Sequence, residues 1–66
     1  MPSKDGTPNR RSRWDFYTDA RGEHRWRLLS SNGRILADSG EGFKTRGGAV
    51  INAKTVSRAA ALAVFP

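Results

Sequence analysis

The sequence has 66 residues, enough for one small domain whose hydrophobic core is marginal by itself. It contains no cysteine and one histidine, which excludes disulfide bonds, thiolate metal sites and imidazole metal clusters, so we expect no metal and no cofactor. The formal net charge is +6. Self-association is the remaining common way to stabilise a chain of this size.

The first 13 residues form a basic segment with four bases and one acid, which is half of the net charge. Proline, serine and glycine are frequent there and apolar residues are rare, so residues 1–13 are predicted to be a disordered basic tail. No apolar stretch has the pattern of a secretory signal or the length of about 20 residues needed to span a bilayer. We therefore expect a cytoplasmic protein that does not bind membranes, with one folded domain over residues 14–66.

Two strands are predicted at the start of this domain. Apolar and polar residues alternate over residues 14–17 and again over residues 24–30, as they do in strands with one buried face. Residues 19–22 supply turn chemistry between them. A third strand is predicted over residues 34–39, after an Asn32-Gly33 pair that favours a two-residue type I′ hairpin turn.

The apolar residues fix a strand register, because a shift by one residue would turn a whole strand over. Pairing Phe16 with Trp26 places Trp14 opposite Leu28, and the two-residue turn then places Leu28 opposite Ala37. The resulting apolar face consists of Trp14, Phe16, Trp26, Leu28, Ile35 and Ala37, with Ser30 opposite Ile35.

The other face of the predicted sheet is polar in the same register. Arg27 lies between Asp15 and Asp38, and Tyr17 lies opposite Arg25, where a cation–π contact is expected. We therefore interpret Arg27 as the centre of a structural ion-pair ladder.

A helix is predicted next, with Thr45 as its N-cap and its end near Arg58 or a little beyond. Small or β-branched residues at helical spacing form a stripe that would pack on the sheet: Ala49, Ala53, Val56 and Ala60. Gly47 and Gly48 weaken its first turns. The apolar residues 62–65 are compatible with a last short strand or with the end of the helix.

The segment Arg25-Trp26-Arg27-Leu28 with its following Asn32-Gly33, together with residues 42–45, resembles the YegP-like family of small proteins with a domain of unknown function. The resemblance covers about residues 14–60. It implies an α+β domain in which a three-stranded antiparallel meander is followed by one helix and a short last strand. It also implies that two units share one sheet and exchange their last strands, here residues 62–65 in a homodimer. The family has no accepted biochemical activity, so the resemblance informs the fold more than the function.

No catalytic constellation is present in the sequence. His24 stands alone at the start of a predicted strand, and the acids Asp15 and Asp38 face an arginine instead of each other. We therefore expect neither an enzyme nor a small-molecule binding site.

Two functional hypotheses remain. The first is a dimeric structural or interaction module with no catalytic activity. The alternative is weak, sequence-nonspecific nucleic-acid binding, because arginine and aromatic residues are the usual contacts to phosphates and bases. Trp14 and Trp26 are predicted to be buried, so that binding would depend on the arginines of the tail and the sheet edges: Arg10, Arg11, Arg13, Arg25, Arg34 and Arg46.

Overall fold

A computed structural model of the protein describes residues 11–66, which form an antiparallel sheet with a helix on one face. The strands are β1 (Arg13–Thr18), β2 (His24–Leu29) and β3 (Ile35–Asp38), and the helix is α1 (Arg46–Leu62). The sheet order is β1-β2-β3, which confirms the predicted α+β fold with a three-stranded meander followed by one helix. Residues 1–10, most of the predicted tail, lie outside the described residues.

The β2–β3 hairpin has a three-residue loop, so the predicted two-residue type I′ turn at Asn32-Gly33 is wrong. The backbone N–H of Ser30 donates to the carbonyl of Arg34 at 2.8 Å, and Gly33 N–H donates to the carbonyl of Ser30 at 2.9 Å. Gly33 has a φ of 89°, and Gly22 has a φ of 83° at the same place in the β1–β2 hairpin. A type I turn followed by a left-handed glycine has this geometry.

The residue at the start of each loop explains this choice of turn. The Asp19 carboxylate accepts hydrogen bonds from the backbone N–H groups of Arg21 and Glu23, at 2.9 and 3.0 Å. In the second hairpin the Ser30 hydroxyl accepts from the backbone N–H of Arg34 at 3.1 Å. Asp or Ser at the first position and Gly at the fourth are typical of type I turns, so both loops carry the same sequence signal.

Most of the predicted strand register is confirmed. Phe16 lies opposite Trp26 and Trp14 opposite Leu28, and Leu28 lies opposite Ala37 in β3. The longer hairpin loop shifts the register by one residue, and a β-bulge at Leu36 shifts it back. The two irregularities cancel, so the pairing beyond the bulge is the predicted one.

Between the loop and the bulge the prediction fails. Ile35 pairs with Leu29 instead of Ser30. Because side chains alternate along a strand, this pairing places Ile35 on the face that the helix does not cover. Its side chain is 60% exposed there, so Ile35 is not part of the core.

After β3 the chain returns to β2 through a short irregular segment. His24 and Phe43 exchange two backbone hydrogen bonds, at 2.7 and 2.8 Å, and Phe43 packs against the core. The return brings Gly42 close to Glu23: a Cβ on Gly42 would lie 2.6 Å from the Glu23 Cβ. This close approach requires glycine at position 42.

The helix begins as predicted. The Thr45 hydroxyl accepts a hydrogen bond from the backbone N–H of Gly48 at 3.0 Å, which confirms Thr45 as the N-cap. The helix ends at Leu62, a full turn beyond Arg58, and the following Ala63 has extended backbone angles.

The core lies where α1 crosses the middle of the sheet. Trp26 is 2% exposed and packs against Ala49 and Ala53, while the remaining apolar contacts come from partly buried residues: Trp14, Phe16, Phe43 and Val56. The indole N–H of Trp26 donates to the Asn52 side-chain oxygen at 2.7 Å. The two alanines let the helix approach the indole closely, and Asn52 satisfies its polar atom.

Candidate functional site

The polar face of the sheet holds two ion pairs, and both neutralise arginines that were predicted as polyanion contacts or ladder residues. Arg25 Nε lies 2.7 Å from Asp19 Oδ2, and Arg27 Nε lies 2.8 Å from Asp15 Oδ2. The Arg27 guanidinium also stacks over the Tyr17 ring, with its carbon 4.6 Å from the ring centroid. The predicted cation–π contact to Tyr17 therefore exists, but Arg27 makes it instead of Arg25.

Only half of the predicted ion-pair ladder is formed. Asp38 lies opposite Arg27 in the sheet, as predicted, yet its carboxylate accepts a hydrogen bond from the backbone N–H of Gly40 at 3.1 Å. Within residues 11–66, Arg27 pairs with Asp15 and not with Asp38. The carboxylate of Asp38 stabilises the bend after β3 instead.

The carboxylate of Asp19 accepts hydrogen bonds from the backbone N–H groups of Arg21 and Glu23 and from the side chain of Arg25. The hydrogen bond from the Arg25 side chain is the main reason that the pKa of Asp19 lies below its ordinary value, and the backbone N–H groups of Glu23 and Arg21 add to the effect. The same pair raises the pKa of Arg25. The guanidinium of Arg25 is therefore already paired with a carboxylate of the first hairpin.

The remaining predicted contact residues lie at separate places. Arg10 is outside the described residues, Arg13 begins β1, and Arg34 lies at the end of the second hairpin loop. Arg46 is the first residue of α1, and its guanidinium lies 5.1 Å from the centroid of the Phe16 ring. Arg11 is exposed just before β1. The described members of this set belong to different elements of the fold, and their role in polyanion binding stays a prediction.

A groove runs between β1 and α1, on the face of the sheet that carries the core. It encloses about 320 Å³ and is lined by Trp14, Phe16, Val50, Ala53, Lys54, Ser57 and Arg58. Its floor is aromatic and aliphatic, and Lys54 and Arg58 stand on its helix side. These two cations were not predicted as site residues, although their i, i+4 spacing places them on one side of a helix.

The C-terminal segment holds the most exposed large apolar side chains of residues 11–66. Leu62, Val64 and Phe65 are 84%, 92% and 97% exposed. The predicted strand over residues 62–65 is not formed within the single chain, because a strand needs a hydrogen-bonded neighbour and none of the described segments lies beside it. The helix ends at Leu62, and the next residue, Ala63, has extended backbone angles.

No group of three histidine, aspartate or glutamate side chains within residues 11–66 is arranged to hold a metal ion. None of the helical structure in this range is long and apolar enough to cross a membrane.

The fold and the surface define a small sheet-and-helix domain with an open groove and an exposed apolar terminus. Residues 19–64 match the model of the family described as a domain of unknown function, DUF1508, and the chain belongs to this family. The YegP-like resemblance is consistent with it. A protein from Haloferax volcanii with an NMR solution structure has a TM-score of 0.79, with 36% identity over 88% of this chain and 97% of its own. The comparison with curated proteins found no match.

Proposed function

We propose that the protein is a homodimeric interaction module in which the C-terminal segment of each subunit docks on the sheet of the other. The observation that carries the proposal is the exposure of Val64 and Phe65, at 92% and 97%, directly after the end of the helix, where Ala63 has extended backbone angles. Soluble monomers rarely expose contiguous apolar side chains of this size, and a second copy would cover them.

The sheet offers an acceptor for this segment at β1. This strand is at the edge of the sheet, is six residues long and pairs regularly with β2, whereas β3 at the other edge carries a bulge. Bulges protect an edge from pairing with another chain, and a regular edge does not. Addition of a strand to β1 would extend the sheet to four strands by main-chain hydrogen bonds.

The groove beside β1 fits the side chains of such an added strand. Trp14 and Phe16 on its floor are only partly buried, and Val50 and Ala53 form its helix wall. Alternate side chains of an added strand would point into this groove, where apolar residues such as Val64 are favoured. A two-fold axis makes the exchange reciprocal, so both segments would be covered at once.

No catalytic step is part of the proposal. His24 uses its backbone N–H and carbonyl to bind Phe43, and none of the hydrogen bonds described for residues 11–66 involves its imidazole.

Sedimentation equilibrium of the full chain at micromolar concentration tests the assembly. We expect about twice the monomer mass of 7.3 kDa. The double variant Val64→Asp/Phe65→Asp should sediment as a monomer, because charged side chains cannot enter an apolar groove without a large desolvation cost.

The matched control is Ile51→Asp. Ile51 is 68% exposed on α1, so its replacement removes an exposed apolar side chain outside the C-terminal segment. This variant should remain a dimer. A wild-type chain that is monomeric and fully folded, or a double variant that still dimerises, would contradict the proposal.

A further inference from the structure

The charges of the protein are divided between the sheet and the helix. Residues 11–41 contain six arginines and five acids and are close to neutral, whereas residues 42–66 contain four cations and no acid: Lys44, Arg46, Lys54 and Arg58. The acids of the first part hold two of its arginines, Arg25 and Arg27, in ion pairs. The helix side therefore carries most of the uncompensated positive charge of residues 11–66.

Three of these cations lie along the same side of α1, and we name Arg46, Lys54 and Arg58 the basic face. Lys54 and Arg58 line the groove beside β1, and the Arg46 guanidinium stacks on Phe16 at the same groove. A rise of 1.5 Å per residue separates the first and last of them by about 18 Å along the helix axis. All three are exposed, and neither Lys54 nor Arg58 pairs with an acid in the part of the chain that the structure describes.

We infer that the basic face binds the phosphate backbone of a nucleic-acid strand, without reading its sequence. A line of exposed, uncompensated cations matches a linear polyanion, and the affinity of such contacts comes from release of counterions from the phosphates. The sheet arginines Arg25 and Arg27 are unsuited to this role, because a phosphate would have to displace a carboxylate already bound to each of them.

A nucleic acid fits this surface better than an anionic membrane. Membrane-surface helices have a strongly apolar face opposite or beside their cations, which inserts between the lipids. The amphipathicity of α1 is weak: beside the basic face, Ala53 is buried and Val50 is partly buried, and the exposed Ile51 and Leu62 do not form a continuous apolar face with them. Binding of nucleic acid by the basic face needs only one subunit and does not depend on the proposed dimer, although a dimer would carry two basic faces.

The test measures binding of the full chain to a fluorescein-labelled single-stranded DNA of 20 nucleotides by fluorescence anisotropy, over a series of salt concentrations. We expect the logarithm of the affinity to fall linearly with the logarithm of the salt concentration. The variant Lys54→Gln/Arg58→Gln should bind about tenfold more weakly or worse at low salt. Its salt slope should be smaller by about 1.4, because each lost phosphate contact removes about 0.7 for a single strand.

The matched control is Arg21→Gln/Lys44→Gln. Both cations are exposed loop residues without an ion pair among residues 11–66, and the variant has the same net charge as the helix variant. It should keep the wild-type slope. A second variant, Lys54→Arg/Arg58→Lys, keeps the charges and should bind like the wild type, which separates loss of charge from damage to the groove.

Three results would overturn the inference: no binding of the oligonucleotide at low salt, equal losses in the helix variant and the loop control, or loss of binding in the charge-preserving variant. Binding to vesicles of phosphatidylserine and phosphatidylcholine with none to the oligonucleotide would also overturn it, in favour of a membrane surface. Sedimentation of each variant shows whether it still dimerises, so a loss of nucleic-acid binding can be told apart from a loss of the dimer.

Discussion

Trp26→Ala should be the most destabilising single truncation in the domain. The indole is 2% exposed, fills the space between the sheet and Ala49 and Ala53, and stacks edge-on with Trp14 at a centroid distance of 5.0 Å. Truncation of a buried tryptophan to alanine costs about 3–5 kcal/mol. It also leaves Asn52 without its donor at 2.7 Å, which favours the upper half of that range. The free energy of unfolding of native proteins is only about 5–15 kcal/mol, so this small domain should be largely unfolded, or close to it, in the variant.

Arg27→Ala is the informative comparison, because Arg27 is adjacent to Trp26 on the opposite face. Its ion pair with Asp15 is about one third exposed on both sides, and such pairs contribute under about 1 kcal/mol. The stacking on Tyr17 adds about 0.5–1 kcal/mol. We expect a total loss of about 1 kcal/mol, several times smaller than for Trp26.

The assay is urea unfolding followed by far-ultraviolet circular dichroism, at one fixed protein concentration for all variants, because the midpoint of a dimer depends on concentration. Circular dichroism is preferred to fluorescence, since the substitution removes one of the two tryptophans. If Trp26→Ala unfolded within about 1 kcal/mol of the wild type, or if Arg27→Ala cost as much as Trp26→Ala, the assignment of Trp26 to the core and of Arg27 to the surface would be refuted.

Three further predictions concern single positions. Gly42→Ala should lower the free energy of unfolding by about 1–3 kcal/mol in urea melts, because its Cβ would overlap the Glu23 Cβ. Gly47→Ala, where the nearest atom to a new Cβ is the Thr45 hydroxyl oxygen at 3.9 Å, should instead raise it by up to about 1 kcal/mol, and a loss there would contradict the helix start described above. Asp19 has a lowered pKa in the folded state, so its stabilising effect is complete above the unfolded value of about 3.9 and is lost as the pH falls through the folded value. Melting temperatures of Asp19→Asn should therefore fall less steeply than those of the wild type on acidification below about pH 4, and parallel curves would exclude this contribution.

The positions of the charges in the sequence did not predict which cations would be available at the candidate site. The Asp15–Arg27 ion pair followed from the predicted register, but Arg25 was predicted as a polyanion contact and instead pairs with Asp19. Lys54 and Arg58 were not predicted as contacts, and the packing of the helix beside β1 places them at the groove. The register gives the neighbours of a cation within the paired strands, but not its neighbours in a hairpin loop or between the helix and the sheet.

The strand register illustrates how a correct prediction can rest on two errors. The sequence predicted Leu28 opposite Ala37 through a two-residue turn, whereas the structure reaches the same pairing through a longer loop and a bulge at Leu36. The pairing was predictable because a shift by one residue would turn the strand over, although Ala37, predicted on the apolar face, is exposed like the rest of β3. The position of the bulge was not, since it depends on how the loop and the strand accommodate each other.

By itself, the sequence determined the α+β architecture, the pairing of Trp14 and Phe16 with β2, and the N-cap at Thr45, because alternation, helical spacing and capping are local signals. The tertiary structure decided the features that depend on distant contacts. It placed the glycine at position 42 against Glu23, and it left residues 63–66 without a neighbouring strand among residues 11–66. A strand is completed by the edge beside it, and its own residues do not specify where that edge lies.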